Sequence, residues 1–364
     1  MAVHALRGSR AARYDVVSSA LAKQDDDAIA ELLAAGTVAG TGIGGTSTVL
    51  DVGGVAVFAK RIPLTDTERR PDTMNSTANI FELPAYCHYG VGSPGFGVWR
   101  ELAANVEASD WVLAGRSEAF PLLYHWRVLP GAPPLAEAYV DVERGTAFWG
   151  GGPGIRRRLH EIAAASASVV LFLEYVPMPL PDWLRERAAD PESLGEACAM
   201  VESRLLADAA FLRANGMTHF DLHFNNILTD GHRLYLADFG LVASSRFAMS
   251  AEERAFVRRH RDYDLGETLV CLVNWLVTNV VGIPGNDVAA RDEYIRACSD
   301  GGAPGGVPVP VTALIRRYAP VAAVMNDFFR DLFGVSRTTP YPADRMRRAL
   351  AVSRAYPGTP PAGR

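Results

Sequence analysis

Runs of β-branched and apolar residues predict three short strands near the start of the chain. They are Thr37-Val38, Thr46–Leu50 and Val55–Ile62, which carry the side chains that favour a half-buried pleated surface. Between the last two runs, Asp51-Val52-Gly53-Gly54 supplies the residues that tight turns use. This part of the chain is therefore expected to form an antiparallel sheet.

Helical periodicity predicts elements on both sides of these strands. Tyr14–Leu33 carries an apolar stripe, and Asp25-Asp26-Asp27 either breaks it or starts a second helix at an N-cap. A further helix is expected at Val98–Leu113, and another at 155–165.

Two more strands are predicted at Leu122–Leu129 and Ser168–Val176, and the pattern after Pro181 is mostly helical. The fold class is therefore α+β, with a strand-rich first half and a helical second half. We expect a helical extension at 1–35, a first lobe at 36–176 with insertions at 63–98 and 130–165, a second lobe at 177–355 and a disordered tail at 356–364. The cleft between two such lobes is the expected ligand site.

Composition narrows the class of protein. A content of 49% hydrophobic and 21% charged residues is that of a soluble globular protein. The net charge of −5 gives no electrostatic reason to expect nucleic acid as a partner. Four scattered cysteines without metal-ligand spacing favour neither a zinc site nor a disulfide framework. The start of the chain lacks the apolar core of a signal peptide, so a cytoplasmic protein is expected.

One uncharged segment bears on the membrane question. Thr268–Pro284 contains no charged residue, but it is slightly short for a bilayer span and Asn274 and Asn279 interrupt it. A buried core helix is the favoured interpretation, and no membrane span is expected.

The segment Gly216–Val242 carries the chemistry. It reads GMTHFDLHFNNILTDGHRLYLADFGLV, with Asp221 and Asn226 five residues apart and Asp238 heading an Asp-Phe-Gly triplet after a predicted hairpin. An acid that orients a hydroxyl and two oxygen ligands for magnesium are what phosphoryl transfer from a nucleotide requires. A solvated polar loop would not need this ordered combination.

Two upstream motifs suit the same chemistry. The run Gly40-Thr-Gly42-Ile-Gly44-Gly45 fits the pattern G-x-G-x-x-G between two strands, and glycines let backbone amides approach phosphates. A dinucleotide-binding fold would need a helix directly after the run, where a strand is predicted. Lys60, at the end of Val57-Phe-Ala-Lys60, can hold phosphates by its point charge.

With these motifs in this order, the chain resembles the protein-kinase-like superfamily from Thr37 to Val281. The resemblance implies a two-lobed kinase fold and the cofactors ATP and Mg²⁺. It assigns Asp221 to the attacking hydroxyl, Asn226 and Asp238 to magnesium, and Gly40, Gly42, Gly45 and Lys60 to the phosphates. His219 would be structural. In Leu171–Pro177, which resembles the hinge between lobes, the backbone of Glu174 and Val176 would bind adenine.

Two positions leave alternatives. By the same resemblance Lys60 requires a carboxylate partner on the next helix, for which Glu107 is preferred and Glu101 is the rival. An acid at the start of the uncharged helix should tie it to the catalytic loop, and Asp262 is preferred over Asp264.

Departures from the family pattern concern the acceptor. Phe220 replaces the arginine of His-Arg-Asp, and His223 stands where Ser/Thr kinases carry lysine, as in aminoglycoside and choline phosphotransferases. The segment after Asp238 is short, so a switch by activation-loop phosphorylation is not expected. We favour a Ser/Thr hydroxyl of a protein or peptide as acceptor. The alternatives are a small-molecule phosphotransferase, a nucleotide-binding pseudokinase scaffold and an enzyme that transfers adenylate.

Overall fold

The protein has an α+β fold, seen in a computed structural model that describes residues 2–42, 45–90, 93–302 and 305–353. Within these ranges, helices and an antiparallel five-stranded sheet account for most of the chain. Gly44 of the glycine run and the tail at 356–364, which was expected to be disordered, lie outside the described residues.

The chain divides into two compact units. The first comprises Met1–Val176, Ala237–Val242 and Arg246–Ser250, and the second comprises Pro177–Leu236, Ala243–Ser245 and Ala251–Arg364. Asp238 therefore belongs to the first unit, whereas Asp221 and Asn226 belong to the second.

The first unit contains a sheet flanked by helices. Its elements are α1 (Ala2–Ala22), α2 (Asp26–Ala35), β1 (Thr37–Gly42), β2 (Gly45–Val52), β3 (Val55–Leu64), α3 (Asp66–Arg69), a 3₁₀ turn (Ala85–His88), α4 (Val98–Leu113), β4 (Leu123–Pro130), α5 (Glu137–Val140), α6 (Val142–Phe148), α7 (Pro153–Ala163) and β5 (Ala167–Glu174).

The second unit is mainly helical. Its elements are β6 (Met178–Pro179), α8 (Leu180–Arg187), α9 (Pro191–Ala214), β7 (Met217–Thr218), a 3₁₀ turn (Phe224–Asn226), β8 (Ile227–Thr229), β9 (Leu234–Leu236), β10 (Ala243–Ser244), α10 (Ala251–Arg259), α11 (Tyr263–Leu276) with a π-helical continuation (Val277–Val281), α12 (Val288–Ser299), α13 (Val309–Gly334) and α14 (Ala343–Val352).

The sheet of the first unit has the strand order β1-β2-β3-β5-β4, and every neighbouring pair is antiparallel. The three strands predicted near the start of the chain are confirmed as β1, β2 and β3. The register of β3 on β5 places Lys60 opposite Leu171, within the interior of the sheet.

Helices cover both faces of this sheet. Val17, Leu21 and Ile29 of α1 and α2 pack against alternate sheet residues such as Val170 and Phe172. Val98, Trp99 and Leu102 of α4 share a second core with Val169 and Leu171. Because β5 is buried on both faces, its sequence is an unbroken apolar run rather than an alternation.

The two insertions of the first unit form a small core of their own. Phe81, Leu83, Cys87 and Phe96 come from the first insertion, and Tyr139, Trp149, Ile155, Leu159 and Ile162 come from the second or from the helix that ends it. The aromatic side chains of residues 80–99 are therefore mostly core residues, as packing statistics favour.

The start of α2 settles the choice left open at Asp25. Asp25 is its N-cap, and the carboxylate accepts a hydrogen bond from Ala28 N at 2.9 Å. The three aspartates thus begin a second helix after α1 has ended at Ala22, since a capping carboxylate satisfies an amide that the helix itself leaves unpaired.

The uncharged segment lies in α11 and its π-helical continuation. Tyr263–Val281 is the one helix of the described residues that is long and apolar enough to cross a membrane, by length and composition only. Most of it is buried inside the second unit, where α11 packs on α13 and α9.

Candidate active site

Lys60 is the centre of the site in the first unit. Its Nζ donates hydrogen bonds to Glu101 Oε1 at 2.7 Å and to Asp238 Oδ1 at 2.8 Å. Lys60 is one of only two lysines in the sequence, and its side chain is buried. Burial by itself would lower the pKa of Lys60, but the charges of Asp238 and Glu101 raise that pKa above its usual value. The amine is therefore a fixed positive charge between two carboxylates.

The prediction that Glu107 pairs with Lys60 is wrong, and its rival Glu101 is the partner. Both glutamates are buried on α4, but Glu107 Oε1 lies 3.1 Å from Arg246 Nε. Six residues of helix rotate a side chain by about 600° and move it by about 9 Å along the axis. Glu101 and Glu107 consequently point to different parts of the unit.

Matched substitutions separate these two glutamates. If the site transfers phosphate, Glu101→Gln is expected to lower kcat/KM of that transfer by about tenfold or more, because one charged hydrogen bond to Lys60 is lost. Glu107→Gln should lower the free energy of unfolding and leave kcat/KM close to that of the wild type. Steady-state kinetics and urea denaturation of the two variants measure both quantities. The reverse order of effects on kcat/KM would contradict the pairing.

Gly40 and Gly42 of the glycine run lie in β1, which is antiparallel to β2. Gly42 pairs with Gly45, and β2 begins at Gly45. Because a strand follows the run, this pairing excludes the strand-turn-helix geometry of a dinucleotide-binding fold. Gly45 has a φ of 119°, and a Cβ there would lie 1.9 Å from the carbonyl oxygen of Arg61. Only glycine fits this position.

Glu174 closes the sheet at the end of β5, two residues earlier than the predicted strand end. Its backbone N donates to Leu122 O at 2.8 Å. Its carboxylate is buried and accepts hydrogen bonds from Arg10 of α1, with Arg10 Nη2 at 2.5 Å from Oε2. Val176, the other residue expected to contact adenine, is the last residue before the second unit and is largely buried.

Asp221 and Asn226 face each other in the loop between β7 and β8 of the second unit. Asn226 Nδ2 donates to the backbone O of Asp221 at 2.9 Å and to its Oδ2 at 3.0 Å. His223 Nε2 lies 3.7 Å from Asp221 Oδ1. The expected hydroxyl-orienting acid and the expected metal-binding amide are thus neighbours. The amide nitrogen of Asn226 is occupied, which leaves its Oδ1 as the available ligand atom.

The acid that anchors this loop is Asp264, and the preference for Asp262 is wrong. Asp264 accepts hydrogen bonds from His219 N at 2.8 Å and from Phe220 N at 2.9 Å. Asp262 precedes the first residue of α11 and instead binds Arg213 Nη1 at 3.0 Å. Burial raises the pKa of Asp264 to about 6, although both backbone amides oppose this change.

Glu267, one turn after Asp264, is a loop anchor that the sequence did not reveal. Its Oε2 accepts a hydrogen bond from Leu222 N at 2.7 Å. Burial raises its pKa well above the usual value, and the charges of Asp221 and Asp264 act in the same direction. The spacing of three residues between Asp264 and Glu267, which places both carboxylates on one face of α11, was the sequence signal that could have identified Glu267.

Phe220 is held in an aromatic cluster behind the loop. Its φ of 66° is in the left-handed region, which is uncommon for residues other than glycine. The ring lies 5.8 Å from that of Phe256 and 5.7 Å from that of His260, between centroids. Burial lowers the pKa of His260 to about 4, although its hydrogen bond to Phe256 O opposes this change.

The buried His260 predicts acid lability of the fold. The folded pKa of about 4 is below the unfolded value of about 6.5, so the unfolded state binds a proton first as the pH falls. We expect His260 alone to remove about 3 kcal/mol of unfolding free energy between pH 6.5 and pH 4, whereas the raised pKa of Asp264 acts in the opposite direction. His260→Phe should show a smaller loss over this range in urea denaturation. An identical pH dependence of the two proteins would contradict this assignment.

Asp238 is the more accessible of the two carboxylates at Lys60, with 42% of its side chain exposed. Its Oδ1 also accepts from Gly240 N at 3.2 Å, and its φ of 65° is again left-handed. The ring of Phe239 is buried, and its centroid lies 6.2 Å from that of the Phe120 ring. Asp238 is better placed than Glu101 to bind a ligand, because its carboxylate is half-exposed whereas that of Glu101 is buried.

The donors present fit magnesium. No group of three or more His, Cys, Asp or Glu side chains within the described ranges could hold a metal by itself. Magnesium in nucleotide sites uses one or two carboxylates together with phosphate oxygens and water. In the first unit, Asp238 offers a carboxylate of that kind, with 42% of its side chain exposed.

Comparison with known proteins does not assign the chain to a family. No protein-family model matches the chain, and no curated protein matches it significantly. The functional interpretation therefore depends on the residues and contacts described above.

Proposed function

We propose that the protein is an ATP- and Mg²⁺-dependent phosphotransferase with a two-lobed protein-kinase-like fold. One observation carries the proposal: Lys60 contacts Glu101 and Asp238, which are 41 and 178 residues away in the sequence. A buried lysine between a buried and a half-exposed carboxylate is the arrangement that nucleotide phosphates and their metal ion require in kinases.

Each motif has a part in the proposed reaction. The glycine run and Lys60 bind the phosphates, and Glu101 fixes the direction of the lysine. Asp238 and Asn226 are the residues that would hold magnesium, which would supply positive charge beside the phosphates. Asp221 orients the acceptor hydroxyl and takes its proton. The backbone of Glu174 and Val176 is the proposed contact for adenine.

The proposed acceptor is a Ser or Thr hydroxyl of a protein or peptide. A small-molecule hydroxyl is the second candidate, favoured by His223, which lies 3.7 Å from Asp221 where Ser/Thr kinases carry lysine. The loop anchors Asp264 and Glu267 are compatible with either acceptor. We propose a cytoplasmic protein that does not act on nucleic acid and does not span a membrane.

Transfer from ATP labelled at the γ-phosphate tests the proposal. The full chain, Mg²⁺ and labelled ATP are incubated with a Ser/Thr peptide library and, separately, with a panel of aminoglycosides and amino alcohols. Label on a peptide supports the first acceptor class, and label on a small molecule supports the second. Intact mass of the product distinguishes phosphate from adenylate.

Absence of transfer has a defined meaning. If ATP with Mg²⁺ raises the melting temperature but no acceptor is modified, the chain is a nucleotide-binding scaffold. If neither thermal stabilisation nor transfer occurs, the proposal is wrong. Lys60→Met is the control that should remove both effects.

A further inference from the structure

A buried glutamate outside the site holds the helix that carries Glu101. Glu68 is in α3 and is completely buried. Its Oε1 accepts a hydrogen bond from Val98 N, the first residue of α4, at 2.9 Å. Its backbone O accepts from Trp99 Nε1 at 2.8 Å. Two atoms of one residue therefore fix the first turn of α4.

The start of α4 lacks a cap of its own. Its N-cap is Gly97, which has no side chain to accept from the helix amides, and its φ is 128°. A Cβ at Gly97 would lie 2.8 Å from Glu68 Oε1. The glycine thus leaves room for the carboxylate of Glu68, which takes the place of the missing N-cap side chain. Its negative charge also interacts favourably with the positive end of the helix dipole.

The carboxylate of Glu68 is itself held by the second insertion. Arg158 of α7 donates from Nη1 to Glu68 Oε2 at 2.8 Å, and both side chains are buried. Thr65 also donates to Oε2, from its hydroxyl at 2.7 Å. Arg158 lies over the ring of Phe81 at 4.8 Å, in the core shared by the two insertions.

Glu101 is in the same helical turn. It lies three residues after Val98 and about 4.5 Å farther along the helix axis, so a shift of the helix start moves it directly. Its partner Lys60 is fixed separately, by the pairing of β3 with β2 and β5. The distance between Lys60 Nζ and Glu101 therefore depends on what holds the start of α4.

We infer that Glu68, held by Arg158, is a positioning residue that keeps α4 where Glu101 meets Lys60. The inference rests on the proposed function, and it assigns a role to the two insertions. They form a core whose charged pair fixes α4 from its N-terminal end. The Lys60–Glu101 pair is thus held in place by contacts within the first unit.

The test measures the reactivity of Lys60. The full chain is labelled with an amine-reactive ester, and mass spectrometry gives the labelling of Lys60 relative to Lys23, the exposed second lysine. Glu68→Met with Arg158→Met replaces the buried pair by apolar side chains of similar length, which leaves no unpaired charge. We expect the ratio to rise about tenfold, as it should in Glu101→Gln, because loss of the 2.7 Å charged hydrogen bond to Glu101 releases the Lys60 amine to the reagent.

Combination with Glu101→Gln decides whether Glu68 acts through Glu101. The triple variant should label Lys60 no faster than Glu101→Gln alone. A further rise, or an unchanged ratio in the folded double variant, would overturn the inference. If the double variant does not fold, Arg158→Lys tests the same contact, because it keeps the charge and loses the planar fork that reaches Glu68 Oε2 at 2.8 Å.

A more exposed charged pair in the second unit controls for the change of charge. Glu202 accepts from Arg317 Nη1 at 2.5 Å, and Glu202→Met with Arg317→Met should leave the Lys60 ratio unchanged. Phosphate transfer separates the two proposals. Transfer lost in Glu101→Gln but retained in the Glu68/Arg158 variant would overturn only the positioning role. Labelling as expected, with full transfer by Asp221→Ala, would overturn only the proposed mechanism.

Discussion

Asp221→Ala is expected to lower kcat for phosphate transfer by about a hundredfold to ten-thousandfold. The carboxylate of Asp221 is proposed to orient the acceptor hydroxyl, and Asn226 Nδ2 donates to its Oδ2 at 3.0 Å and to the backbone O of Asp221 at 2.9 Å. Loss of a positioned acid removes the proton acceptor without removing the nucleotide site. Binding of ATP with Mg²⁺, measured by thermal shift, should therefore be retained.

Asp262→Ala is the matched control for Asp221. It removes an aspartate from the same unit that binds Arg213 and does not touch the loop backbone. We expect a lower melting temperature and a nearly normal kcat. Full phosphate transfer by Asp221→Ala would exclude the proposed mechanism.

Asp238→Asn is expected to lower kcat/KM by about a hundredfold to a thousandfold, for a different reason. The substitution removes the charge that contacts Lys60 at 2.8 Å and that is proposed to hold magnesium. At saturating nucleotide, about a hundred times Kd, binding contributes about 2.7 kcal/mol to stability. In Asp238→Asn, the part of this stabilisation that depends on Mg²⁺ should be lost.

The two aspartates are thus distinguished by what each variant retains. Asp221→Ala should keep Mg²⁺-dependent stabilisation and lose turnover, whereas Asp238→Asn should lose both. Asp230→Asn serves as the control, because Asp230 holds the turn between β8 and β9 through its bonds to His232 N and Arg233 N. Mg²⁺-dependent stabilisation of Asp238→Asn equal to that of the wild type would contradict its role as a ligand.

Local patterns were sufficient for much of the fold. The bounds of α4 and the strands β1, β2 and β3 follow from periodicity and turn residues, since both are properties of adjacent positions. The antiparallel pairing of β1 with β2 at the glycine run follows in the same way, from glycines between two strand patterns. Loop residues at fixed short spacing, such as Asp221 and Asn226, were also predictable as neighbours.

Choices between residues on one helix were not predictable. Glu101 and Glu107 are both acidic positions of α4, and only the placement of α4 on the sheet turns Glu101 to Lys60. Asp262 and Asp264 differ by two residues, and the start of α11 decides which of them reaches the loop. The left-handed backbone at Phe220 and Asp238 likewise depends on packing, because local preference disfavours it.

The sequence by itself determined the α+β class, the strands, the helix α4 and the residue types of the candidate site. Only the tertiary structure decided that Glu101 is the partner of Lys60, that Asp264 and Glu267 anchor the loop, and that Glu68 and Arg158 hold α4. The physical reason is the separation along the sequence over which each effect acts. Periodicity and turn preference act between neighbours in sequence, whereas these contacts join residues at least 30 positions apart, as Glu68 and Val98 are. Their geometry is fixed by how whole elements pack.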